Sequence, residues 1–215
     1  MTDKEIFFYL KKNSPFTDAG IAGLMGNMYA ESGLRANNLQ QIYEKSLGMT
    51  DETYTKAVDN GTYTNFVHDS AGYGLIQLTW WQRKEAYLKY AKSKGKSIGD
   101  CETQLEYILK EIKGYTQVYN CLKTTNSVKE ASDIVLHQYE APSDQSVSME
   151  QRRAGYAQVY YDKFASKADA EPESKSLYKV QVGAYTIKSN ADAMLKNLKS
   201  KGFDGIIKVH ILITH

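Results

Sequence analysis

The run GLMGNMYAESGLRANN, residues 23–38, decides how the chain is read. Around it, Ile21, Leu24, Met25 and Met28 recur at helical spacing. Thr17 or Ser14 stands ahead as a candidate N-cap, and Gly33 is placed to stop the helix as its C′ residue. Residues 24, 28 and 31 share one face of such a helix, so two apolar side chains lead up to one carboxyl, Glu31. At a helix C-terminus the negative end of the macrodipole opposes ionisation, and apolar neighbours add a desolvation cost. A carboxyl in that setting suits the role of general acid near neutral pH, whereas a surface glutamate in a last turn does no chemistry.

A second segment follows, DSAGYGLIQLTWW at 69–81. Gly72 and Gly74 allow a tight turn or close approach of a ligand. Gln77, between Ile76 and Leu78, is expected to face away from whatever those two pack on, into a cleft. Tyr73, Trp80 and Trp81 supply flat faces of the kind that stack on sugar rings. Taken alone, the segment also reads as a β-hairpin with a tryptophan pair in the core.

Between these segments, residues 34–70 are polar and predict a long loop-and-hairpin region, with the DNG of 59–61 as its turn. Helical patterns resume near 81–95, 100–112, 114–123, 127–140 and 148–164. ASKADAEPESKS, 165–176, has no large apolar residue and reads as a linker. In the tail, Tyr178, Val180, Val182 and Ala184 alternate with polar or small residues. Ala191, Met194, Leu195 and Leu198 then follow at helical spacing before Gly202, and GIIKVHILI (205–213) closes the chain. The expected architecture is α+β and mainly α. It comprises a helical domain with a small β/loop lobe over 1–164, a linker over 165–176, and one β-α-β unit over 177–215.

The chain has 215 residues, with 27 Lys and Arg against 25 Asp and Glu, a net charge of +2. That balance argues against a nucleic-acid protein, which needs a clustered positive field. A mean hydropathy of −0.52 describes a soluble chain, and no apolar run reaches the ~18 residues of a membrane span. The N-terminal MTDKEIFFYLKKN does not read as a secretory signal. Cys101 and Cys121 lack disulfide-framework or metal spacing, and His68 and His137 have no further ligand near them, so neither metal nor cofactor is expected. Glu140, closing LHQYEAP, is read as a structural partner of Arg152 or Arg153. Tyrosine is in excess, 17 against 6 Phe, a hint of polar ligands with stackable faces.

The two segments in combination resemble the lysozyme-like peptidoglycan-cleaving superfamily. The run from IAGLMGNMYAESGL through SLGMTDETYTKAVDNGTYTNF to DSAGYGLIQLTWWQRK is most similar to the phage tail lysozyme domain of endolysins from phages of clostridia and related bacteria. The resemblance implies that Glu31 is the general acid cleaving the β-1,4 bond between N-acetylmuramic acid and N-acetylglucosamine. It also implies that Gln77 and nearby backbone bind the sugar, with Tyr73 and Trp80 beside them. For the second carboxylate, Glu44, Asp51, Glu52, Asp59 and Asp69 are candidates, and Asp69 is chosen because it precedes the SAGYG turn. A lytic transglycosylase of the same superfamily needs the glutamate alone, and a non-catalytic glycan-binding or phage-tail structural protein is the alternative of another class. LYKVQVGAYTIKSNADAMLKNLKSKGFDGIIK (177–208) resembles the first half of a sporulation-related repeat (SPOR) domain, which implies binding to peptidoglycan. Half of such a domain is marginal in stability, and reads either as a remnant or as a unit completed by self-association. The resemblance implies residence in the bacterial cytoplasm until release, then action on the wall.

Overall fold

A computed structural model of the chain describes residues 1–165, 183–202 and 207. They belong to two compact units, Met1–Pro172 and Glu173–His215. The first unit is built from nine α-helices among the described residues. These are α1 (Asp3–Asn13), α2 (Asp18–Ser32), α3 (Gln41–Leu47), α4 (Asp51–Asp59), α5 (Trp81–Ser93), α6 (Cys101–Ile112), α7 (Thr116–Thr124), α8 (Val128–Val135) and α9 (Val147–Phe164). Side-chain oxygens of Thr2, Thr17, Thr50, Asp100, Ser127 and Ser146 accept from backbone N–H groups of the first turns of α1, α2, α4, α6, α8 and α9. Each such cap satisfies a donor the helix itself leaves unpaired.

Helix α2 is the pillar of the unit, buried from Ala19 to Met28 and packed against α7, α8 and α9. Its close packing depends on missing side chains. A Cβ at Gly23 would lie 2.5 Å from the Ala131 Cβ on α8, and one at Gly26 would lie 2.6 Å from the backbone nitrogen of Ala157 on α9. Both distances are closer than atoms tolerate, so the two glycines set how near the flanking helices come. The end of α2 follows the sequence reading. Thr17 is the N-cap, and Gly33, with φ of 63°, donates its N–H to the Tyr29 carbonyl at 2.8 Å.

The small lobe corrects an expectation. No β-strand forms among the described residues, and residues 34–70 carry α3 and α4 in place of a hairpin. Asp59-Asn60-Gly61 ends a helix rather than linking strands, with Asn60 capping α4 and Gly61 at φ of 79°. A DNG run suits either fate, because the αL residue that opens a hairpin also closes a helix. Only an isolated antiparallel bridge, Leu39 to Tyr73, joins the lobe to the 73–79 segment among the described residues.

The segment after α8 leaves α geometry. Leu136–Glu140 form one π-helical turn, closed by Ala141 at φ of 43° donating to the Leu136 carbonyl at 2.9 Å. In the second unit, α10 (Lys188–Ser200) occupies the predicted helical stretch, with Gly202 at φ of 84° beyond it. The predicted linker after residue 165, and the predicted tail strands apart from 183–184 and 207, lie outside the described residues.

Candidate functional site

Glu31 reaches the surface where α2 ends, after three turns of buried apolar residues that include Leu24 and Met28. It lines a cleft of about 720 Å³. Part of the lining comes from the loop before α5 and the start of that helix, with His68, Ser70, Gln77, Trp80 and Trp81, and part from Glu140, the last residue of the π turn, with Ala141 and Pro142 after it. The two tryptophans are 62% and 46% exposed, large flat surfaces left open to solvent. The Trp81 ring lies 6.1 Å from that of His68. Exposed indoles at a polar cleft are the usual means of holding a sugar face.

The backbone of this cleft is strained. Four non-glycine residues among the described ones have positive φ: Leu34, Ser70, Gln77 and Ala141. Three of them, Ser70, Gln77 and Ala141, line the cleft. Such conformations cost about 1–3 kcal/mol each and persist where the surroundings over-determine them, typically at ligand sites.

Polar contacts hold the walls. Ser32 Oγ donates to the Met28 and Leu75 carbonyls, both at 3.0 Å, tying the end of α2 to the GLI turn. The buried Gln104 accepts from the Leu75 N–H at 2.8 Å and donates to the Ala36 and Ile98 carbonyls. Gln77 lines the cleft as expected, but its amide nitrogen is committed, donating to Asn38 Oδ1 at 3.1 Å and to the Asn38 and Gly74 carbonyls.

Two cations stand over the carboxyls. Arg153 of α9, almost fully buried, donates to Glu31 Oε1 and, at 3.0 Å, to Asn27 Oδ1. Asn27 in turn donates to the Gly23 and Ser132 carbonyls, at 2.9 and 3.0 Å, so three helices aim the guanidinium. Arg83 of α5 donates to Glu111 through Nε and Nη2, at 2.9 and 2.7 Å, and lies over the Tyr139 ring. That bidentate pair holds the Arg83 proton more firmly than usual despite burial.

The second predicted carboxylate is corrected. Asp69 lies outside the cleft lining, its side chain 2% exposed. It accepts from Lys84 Nζ at 2.5 Å, Tyr54 OH at 2.5 Å, Tyr63 OH at 3.0 Å and the Ala71 N–H at 3.0 Å. Every acceptor direction is taken, so no lone pair is left for a substrate. Burial pulls the Lys84 ammonium below its ordinary value, and only the Asp69 contact opposes this.

Tyr73 is corrected in the same way. It is fully buried, its hydroxyl shared with Thr55 Oγ1 at 2.6 Å and its ring packed on Tyr54 and Phe66. Much of the tyrosine excess has this use: Tyr54, Tyr73, Tyr87 and Tyr139 are core residues whose hydroxyls find polar partners. Of the other acidic candidates, Asp51 holds Arg35 and the Leu39 N–H, Asp59 holds Ser97 and the Ile98 N–H, and none of the four lines the cleft.

The carboxyl that does share the cleft with Glu31 is Glu140, expected from the sequence to be a structural partner of an arginine. Its Oε1 is enclosed and has no hydrogen-bond partner among the described residues. Burial first, and the facing charge of Glu31 second, push its carboxyl well above the ordinary value, with Arg83 and Arg153 pulling the other way. A signal was present: residues 136 and 140 are four apart, so the buried Leu136 places Glu140 on the inward face.

A helical unit of this kind, with a glutamate ending a buried helix and an aromatic cleft beside it, has the form of a lysozyme-like domain. Residues 1–164 match the phage tail lysozyme model, and the chain belongs to that family. Residues 174–211 match the SPOR domain. The chain is also similar to the sporulation-specific N-acetylmuramoyl-L-alanine amidase of Bacillus subtilis (strain 168). That similarity is 53% identity over 34 residues, 16% of this chain and 13% of the amidase. No described helix is long and apolar enough to cross a membrane, and no described His, Cys, Asp and Glu side chains cluster as metal ligands.

Proposed function

We propose that this chain is a peptidoglycan glycan-strand hydrolase of the muramidase type, with Glu31 as the acid of its cleft. The observation that carries the reading is the placement of Glu31 at the end of a buried helix, opening into a cleft that also holds two exposed tryptophans and a second carboxyl. Glycoside cleavage needs a proton for the leaving oxygen and a second group or water for the anomeric carbon. Glu31 donates to the oxygen between N-acetylmuramic acid and N-acetylglucosamine while the C1–O bond breaks. Trp80 and Trp81 hold sugar faces. Gln77, pinned by Asn38, shapes the wall against which N-acetyl and hydroxyl groups rest. Water then adds to C1. Because Arg153 has donors only, Oε1 of Glu31 is an acceptor, and the transferable proton belongs on Oε2.

Membership of the phage tail lysozyme family supports a role as a phage or prophage endolysin, kept inside the bacterium until release and then acting on the wall. The SPOR-matched residues supply additional affinity for glycan. Glu31→Gln keeps shape and hydrogen bonding but removes the proton. Purified cell walls treated with it are expected to stay turbid while the protein remains folded. Clearing at the unaltered rate refutes the role of Glu31, and absence of clearing by the wild-type protein favours a non-catalytic glycan binder.

A further inference from the structure

Glu140 is the cleft carboxyl whose Oε1 is enclosed with no hydrogen-bond partner among the described residues. Asp69 has four donors and Glu111 has Arg83 and two tyrosines, so the fold satisfies structural carboxylates elsewhere. Leaving one buried acceptor unmade costs about 1–3 kcal/mol, and more for a charged group. The backbone around it is equally irregular, since Glu140 ends a π turn and Ala141 follows in the left-handed region. Both devices re-aim a side chain, and both concentrate at functional sites.

Charged and titratable groups surround Glu140 from every packed element. They are Glu31 from α2, Arg83 from α5, Glu111 from α6 and Arg153 from α9, with Tyr139 beside it on the same turn and His68 across the cleft. The two cations are already engaged, Arg83 by Glu111 and Arg153 by Glu31 and Asn27. Arg153 Nε is likewise enclosed without a partner among the described residues. Burial, and then the charge of Glu31 in the same cleft, favour the neutral form of Glu140, so this carboxyl is placed to keep a proton at the site.

We propose that Glu140 is the second catalytic carboxyl of the cleft, and that it and Glu31 hold a single proton between them which the reaction spends and recovers. The inference rests on the glycosidase reading above. In the resting enzyme the pair carries one proton and one negative charge. As the C1–O bond breaks, that proton passes to the glycosidic oxygen, which leaves as a sugar hydroxyl with the bonding electron pair. The two carboxylates then face the positively charged anomeric centre, with Arg153 and Arg83 limiting their repulsion. Water adds to that centre and returns its proton to the pair, so the enzyme ends as it began. No cofactor or further reactant is needed.

The test is the pH–rate profile of wall hydrolysis by full-length wild type, Glu140→Gln and Glu31→Gln. Glu140→Gln is expected to lose ~100-fold in rate near neutral pH, at the low end of what a positioned acid–base group contributes. Its alkaline limb is expected to move toward acid, because the facing charge that retained the proton is gone. A profile of wild-type shape, whether at full rate or scaled down equally at every pH, overturns the inference and makes Glu140 a wall residue. A Glu31→Gln variant of wild-type activity instead sinks the role of Glu31, on which the inference rests. Carboxyl-carbon NMR titration of the wild-type protein, labelled at Glu Cδ, needs no variant to fold. Titration of Glu140 well above the ordinary carboxyl range is expected, and titration of Glu140 at the ordinary carboxyl value contradicts the inference.

Discussion

Replacing Asp69 by Asn separates a structural carboxylate from a catalytic one. Asp69 holds the Lys84 ammonium, two tyrosine hydroxyls and a backbone N–H within a shell that is almost entirely dry. Asn keeps the volume and one acceptor but removes the charge, leaving Lys84 with the Ala71 carbonyl at 2.8 Å and the Phe66 ring at 4.6 Å. Removing one partner of a buried pair costs ~3–5 kcal/mol. A loss of ~3 kcal/mol corresponds to a fall in Tm on the order of 10 °C for a domain of this size. Thermal denaturation followed by circular dichroism reads the fall, and wall clearing well below Tm reads activity per folded molecule. That activity is expected to equal the wild-type value. A variant with unchanged Tm and abolished clearing refutes the structural assignment and returns Asp69 to the catalytic role.

The packing and the cleft give three further outcomes. Gly26→Ala forces a methyl against the α9 backbone at Ala157 and is expected to cost ~1–3 kcal/mol by overpacking. It should also lower kcat, because Arg153 lies one turn away on the displaced helix, and urea denaturation with kinetics checks both. Trp80→Ala removes an exposed platform and should leave Tm unchanged while raising KM ~2–13-fold, for a stacking contact of ~0.5–1.5 kcal/mol. Glu140, its carboxyl raised from 4.5 to about 8, binds more protons in the folded than in the unfolded state across that interval. Stability therefore falls as pH rises from about 4.5 to about 8, and denaturant titrations should show Glu140→Gln to be free of that fall and more stable than wild type at the alkaline end.

The helices were legible because their apolar spacing, caps and stops are local. Thr17, Gly33 and the apolar face leading to Glu31 all lie within one short run, and the helices from α5 to α9 begin and end close to where periodicity places them. Contacts distant in sequence were not legible. Asp69 looks like a turn residue beside a cleft until Tyr54 and Lys84, each fifteen positions away, converge on it. Arg153 meets Glu31 across 122 positions through a helix packing that Gly23 and Gly26 permit, and a sequence pattern does not measure that approach. The lobe was misread because polar residues with Gly and Asn suit short capped helices as well as hairpins. Glu140 was visible on a helical face, but its aim depends on a π turn that no local propensity announces.

The mass of the muropeptides released from purified peptidoglycan tests the proposed chemistry most directly. Hydrolysis at the Glu31 cleft yields disaccharide products with a free reducing N-acetylmuramic acid end, and no such products from Glu31→Gln. Products lighter by one water, with an anhydro end, contradict hydrolysis and make the enzyme a transglycosylase. Reducing ends released undiminished by Glu31→Gln contradict the site itself.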